Sequence, residues 1–113
     1  RNLERLAKRA FMGMAKTGGV ASNGSGDFVI AFSTNESVRV EHKAPDFALH
    51  GAPVVRNDDM TPLFMAAIEA TEEAIINSLF AACDTPTHDG KVIKALPLDR
   101  VMEMMRAQRK INA

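Results

Sequence analysis

The chain is 113 residues long, enough for one small domain with a core and not for two. Lys and Arg number 14 and Asp and Glu 14, a balance that argues against nucleic acid or an anionic membrane as the main partner, since both need a basic face. No apolar run reaches the roughly 18 to 20 residues that span a bilayer, no signal-peptide core opens the chain, and the lone Cys83 excludes an internal disulfide or a cysteine-based zinc cluster.

The chain opens at Arg1, without a methionine and already inside a helical pattern, so it reads as trimmed or as a piece released from a longer precursor. From Asn2 to Lys16 the residues Leu3, Leu6, Ala7, Ala10, Phe11 and Met14 recur at steps of three and four, with Arg5, Lys8, Arg9 and Lys16 between them. That spacing predicts an amphipathic helix, stopped by Thr17-Gly18-Gly19. Gly13, one turn before the end, weakens the helix but allows a close neighbour.

"ASNGSGDFVIAFST", Ala21 to Thr34, follows. Its apolar run Phe28 to Phe32 does not alternate, which predicts a strand buried on both faces. Val38 to Val40 alternates around Arg39 and reads as a short edge strand. Glu41 to Asp59, with two prolines and no sustained period, reads as an irregular surface connection with a brief extended piece at Val54-Val55. Met60 to Cys83 is the longest predicted helix. Asp59 or Thr61 caps it, Pro62 sits in its first turn, and its inward stripe runs Phe64, Ala67, Ile68, Thr71, Ile75, Ser78, Leu79 and Ala82. Asp84 to Gly90 is a loop by composition, Lys91 to Lys94 a brief extended segment, and Pro97 opens a last helix from Leu98 to about Arg109. The pattern is α+β, with more helix than so little strand can cover, and part of the sheet is expected from another chain.

Among chemistry-bearing residues, Ser25 and Asp27 come first. A hydroxyl two residues from a carboxylate, on a glycine-flanked turn, can orient a nucleophile and accept its proton. Composition alone favours a plainer role, a turn in which Asp27 caps backbone donors. "NGSG" is not a phosphate cradle, because it precedes a strand instead of following one and opening a helix. His42, His50 and His88 fit no metal-ligand spacing and read as surface residues. Asp58, Asp59, Glu69, Glu72 and Glu73 read as caps and solvated faces, Cys83 as an inert small hydrophobe, and Met12, Met14, Met102, Met104 and Met105 as filler.

The ordered blocks "LAKRAFMGMAKTGG", "NGSGDFVIAFST", "RNDDMTPLFMAAIEATEEAIINSL" and "DGKVIKALPLDRV" cover nearly the whole chain. Together they resemble the C-terminal, or β, subunit of the self-processing L-aminopeptidase/D-esterase family, which includes the β-peptidyl aminopeptidases. The resemblance implies a precursor that cuts itself once and frees a Ser or Thr whose α-amino group joins the active site. It implies a four-layer αββα sandwich completed by an α subunit or upstream segment, with αβ units assembling into larger oligomers. Residues 1–113 then form a single domain portion, the C-terminal part of the β subunit.

By position, Ser25 and Asp27 match the serine and acidic residue beside the family's nucleophile. The nucleophile itself opens a strand just before the first helix, which places it upstream of Arg1. The implied activity is removal of N-terminal residues from small peptides, amides or esters through an acyl-enzyme, with no metal or cofactor, in the cytoplasm or alternatively the periplasm. Two other readings stand beside it: an acyltransferase of the ornithine acetyltransferase type, and a non-catalytic binding or structural relative.

Overall fold

The apolar period of the first fifteen helical residues is realised as α1, Asn2–Lys16. A Glu4–Lys8 ion pair at 2.6 Å links successive turns of its exposed side, and the Thr17 hydroxyl donates to the Met14 carbonyl at 2.7 Å where the helix ends. These details come from a computed structural model, which describes residues 1–39 and 54–111. The long helix expected next is α2, Met60–Ala81. A 3₁₀ turn, Asn57–Asp59, leads into it, with the Asp59 carboxylate held by Arg56 Nε at 3.0 Å. A short antiparallel hairpin follows, β1 (Thr85–Pro86) and β2 (Val92–Ile93), in the register Thr85 to Ile93 and Pro86 to Val92. The last helix, α3, spans Leu98–Ala107 and starts directly after Pro97 as the sequence predicts. Helices with a small two-stranded sheet make the chain α+β.

The described residues fall into two compact units, Arg1–Glu72 and Glu73–Ala113. Within the first, α1 meets α2 through its small and basic side. Gly13 is buried, and a Cβ placed there would stand 2.5 Å from the Ile68 carbonyl oxygen and 2.7 Å from Thr71 Cβ. The Arg5 and Arg9 guanidinium carbons lie 4.8 and 4.1 Å from the centre of the Phe64 ring. Lys16 pairs with Glu72, and Asn2 Nδ2 donates to the Val55 carbonyl at 3.1 Å. Arg5, Arg9, Gly13 and Lys16 are four, four and three residues apart and share one side of the helix, about a third of a turn away from the stripe of Leu3, Ala7, Ala10 and Met14. Glu72, expected to face water, pairs with Lys16 instead, and its side chain is 27% exposed.

In the second unit, the hairpin is tied at its base by one side chain. Asp84 accepts from Lys94 Nζ at 2.6 Å and from the Ala95 amide at 3.0 Å. At its tip the Thr87 amide donates to the Lys91 carbonyl at 2.8 Å, and Asp89 takes the Thr87 hydroxyl and, at 2.8 Å, the Lys91 ammonium.

Two expectations are corrected. Phe28 to Phe32 is not a strand paired with any described residue, and Phe28, Ile30 and Phe32 are 94%, 87% and 75% exposed rather than buried. A strand persists only where neighbouring backbone satisfies its ladder, and no described residue supplies that ladder. Val38, expected to open the edge strand Val38 to Val40, instead closes a 3₁₀ turn, Glu36–Val38, because the Asn35 side chain captures the Ser37 amide at 2.9 Å and starts a tight turn. Val40, and the connection as far as Pro53, lie outside the described residues. A core of the size that the chain length allows is also missing among the described residues, where Met60 is the one fully buried large apolar side chain.

Candidate functional site

The segment between α1 and the apolar run owes its shape to one reverse turn. The Ser25 amide donates to the Ser22 carbonyl at 2.9 Å, and Gly24, third in the turn, has φ +92°. That is the pattern of a type II turn, whose third residue needs a positive φ that glycine supplies without a steric cost. Ala21, just ahead of the turn, also has a left-handed backbone, at φ 46°.

The turn ends at Ser25, two residues before Asp27. The Ser25 hydroxyl donates to Asp27 Oδ2 at 3.5 Å, and both residues are exposed. This is longer than the roughly 2.7–2.8 Å usual for a hydroxyl donor, so the two groups are apposed but not closed on each other. A hydroxyl facing a carboxylate can pass on a proton or hold a third group by its lone pairs, and the pair is open to both.

The other candidates stay apart from it. His88 is exposed on the hairpin loop, while His42 and His50 lie outside the described residues. Cys83 is an exposed free thiol. Among the described residues no group of three or more His, Cys, Asp or Glu could hold a metal ion, and no helix is long and apolar enough to cross a membrane.

Sequence reasoning missed two arrangements. One is the pair of arginines over Phe64, because helical periodicity counts a guanidinium as solvated when it can equally lie on an aromatic face. The other is Asp84, read as a loop residue, whose carboxyl is held below its ordinary range first by the Lys94 hydrogen bond and then by the Ala95 amide. Asp89 is lowered likewise, first by Lys91 and then by Thr87, and Glu4 by Lys8. None of these three carboxylates is in the Ser25 turn, and each is accounted for by a local partner.

Comparison with known proteins bears on the whole chain. It is 39% identical over 111 residues to the beta-peptidyl aminopeptidase BapA of Sphingosinicella microcystinivorans, an alignment covering 98% of this chain and 27% of that protein. The beta-peptidyl aminopeptidase BapA of Sphingosinicella xenopeptidilytica is 33% identical over 110 residues, covering 94% of this chain and 26% of the relative. The chain thus spans about a quarter of the length of the curated relatives it matches. The crystal structure of the PH0078 protein from Pyrococcus horikoshii OT3 superposes with a TM-score of 0.77 at 42% identity, over 92% of this chain and 28% of that one. The model of peptidase family S58 matches residues 1–93, which include both α1 and the Ser25 turn, and the chain belongs to that family.

Proposed function

We propose that this chain is the C-terminal part of the β subunit of a self-processing aminopeptidase that removes N-terminal residues from small peptides, amides or esters. The nucleophile in this reading is a Ser or Thr upstream of Arg1, freed by a single self-cleavage. Its hydroxyl oxygen attacks the carbonyl carbon of the substrate while its proton passes to its own α-amino group. The bond to the leaving amine or alcohol then breaks and the leaving group takes up that proton. Water cleaves the resulting ester, releases the acid and restores the hydroxyl. Ser25 and Asp27 stand beside the nucleophile, orient its hydroxyl and share in the proton transfer.

The observation that carries the proposal is the apposition of the Ser25 hydroxyl and Asp27 at 3.5 Å on the turn, within a chain of a peptidase family. The names of the two Sphingosinicella relatives support an aminopeptidase and favour β-amino-acid substrates. The exposure of Phe28, Ile30 and Phe32 supports an α subunit that completes a four-layer αββα sandwich around them, and further assembly of αβ units. So does α1, which turns its basic side to α2 and keeps a separate apolar stripe for another surface.

The test is made in the complete gene product, on a β-amino-acid p-nitroanilide and on self-cleavage followed by intact mass. Ser25→Ala and Asp27→Asn are each expected to lower turnover by about 100-fold or more, in the range that acid–base partners contribute. If both variants process and turn over at the wild-type rate, the reading is wrong.

A further inference from the structure

We propose that Asn23 is a site of spontaneous covalent modification, at which the Gly24 amide nitrogen closes on the Asn23 side chain and converts it to aspartate or isoaspartate. The inference uses the turn itself and does not depend on the roles given to Ser25 and Asp27. Asn23 is the one asparagine in the chain that is followed by glycine. That neighbour matters, because glycine puts no side chain beside the attacking nitrogen. Residues 22–25 are exposed, and a Cβ added at Gly24 would meet nothing within 4 Å. Among the described residues neither the Asn23 carboxamide nor the Gly24 amide has a hydrogen-bond partner, and the turn is closed by one backbone bond, from the Ser25 amide to the Ser22 carbonyl at 2.9 Å.

The chemistry needs only water. The Gly24 nitrogen gives up its proton to base and bonds to Asn23 Cγ, the bond from Cγ to the side-chain nitrogen breaks, and that nitrogen leaves as ammonia. Water then opens the cyclic imide at either carbonyl, giving aspartate or isoaspartate. A type II turn holds the peptide between residues 23 and 24 rotated away from the Asn23 side chain, so ring closure passes through the opened turn. Asn35 is the contrast in the same stretch: its side-chain oxygen accepts from the Ser37 amide at 2.9 Å and from the Ser37 hydroxyl at 2.8 Å, and a glutamate follows it. Asp89-Gly90 has a sequence that allows the same ring, but its carboxylate is engaged by Thr87 and Lys91. Either product at position 23 adds a negative charge two residues before Ser25. Isoaspartate also adds one atom to the main chain inside the ring that the Ser22–Ser25 bond closes, so the turn loses its geometry.

The experiment holds the complete gene product at physiological temperature, at neutral and at mildly alkaline pH, and follows the tryptic peptide of residues 17–39 by tandem mass spectrometry. That peptide contains both Asn23 and Asn35. A synthetic peptide of the same residues runs beside it, with Asn23→Gln and Gly24→Ala proteins. Residue 23 is expected to gain about one dalton, at a rate that rises with pH and stays within about 10-fold of the synthetic peptide, because opening one exposed hydrogen bond slows it no further. Asn35 in the folded protein should convert at least about 10-fold more slowly, and Gly24→Ala should slow residue 23 by about 10-fold or more. Asn23→Gln, whose ring would need a further member, should abolish the gain at that position. The proposal is overturned if Asn23 stays intact in the protein while the synthetic peptide converts, if Asn35 keeps pace with it, or if Gly24→Ala converts as fast as wild type.

Discussion

Replacing Gly13 by alanine sets two effects of known size against each other. Within an isolated helix the change is favourable by about 1 kcal/mol, because alanine is the better helix former. In the folded chain the new methyl would lie 2.5 Å from the Ile68 carbonyl oxygen, 2.7 Å from Thr71 Cβ and 3.2 Å from the Glu72 amide nitrogen. The first and last are backbone atoms of α2 and cannot rotate aside, so α1 and α2 must separate by the better part of an ångström. Overpacking of this kind costs about 1–3 kcal/mol. Separation also stretches the Lys16–Glu72 pair and lifts the arginines from Phe64, at about 0.5–1 kcal/mol for a contact between a cation and a ring. The net expectation is destabilisation by about 1–3 kcal/mol, read as a lower urea midpoint by far-UV circular dichroism. Ala15→Gly, at an exposed position of the same helix, calibrates the propensity term separately. A Gly13→Ala protein as stable as wild type, or more so, would show that α1 does not approach α2 this closely.

Two further outcomes follow from side-chain geometry. Phe64→Leu keeps an apolar side chain but removes the ring under Arg5 and Arg9, and should cost about 1–2 kcal/mol in the same denaturation assay, whereas a neutral result would mean that the guanidiniums gain nothing from the ring face. For Asp84 the folded-state pKa is depressed, so its contribution to stability is present above the unfolded value of about 3.9 and is lost as pH falls through the lowered folded value. The Ala95 amide proton, which Asp84 accepts, should accordingly titrate by NMR with a midpoint below about 3.9. A midpoint at or above that value, or one that persists in Asp84→Asn, contradicts the clamp.

Much of this structure is legible in the sequence where the signal is local. The bounds of α1 follow from the apolar recurrence Leu3 to Met14, and the start of α3 from Pro97. The hairpin was half visible: Val92 and Ile93 announce an extended piece, but Thr85 and Pro86 read as loop because their pairing depends on Asp84 reaching ten residues along the chain to Lys94. Phe28 to Phe32 marks the opposite limit. Two apolar faces tell how much cover a segment requires and nothing about which part of a protein provides it. At the candidate site, glycine and serine composition reveals a turn, the spacing of hydroxyl and carboxylate offers Ser25 and Asp27 as a pair, and the resemblance alone adds a place for them beside a nucleophile. That Gly24 holds the left-handed position, and not Gly26, is a backbone fact that no spacing rule contains.

The arginine pair over Phe64 and the hairpin differ in their response to acid. At the first turns of α1 the positive partners keep their protons at every accessible pH, and the ring opposite them has none to gain. The side-chain contacts of the hairpin beyond α2 run instead through carboxylates, Asp84 and Asp89, that acid neutralises. Acidification should therefore loosen the base of the hairpin while leaving the aromatic contact of α1 in place.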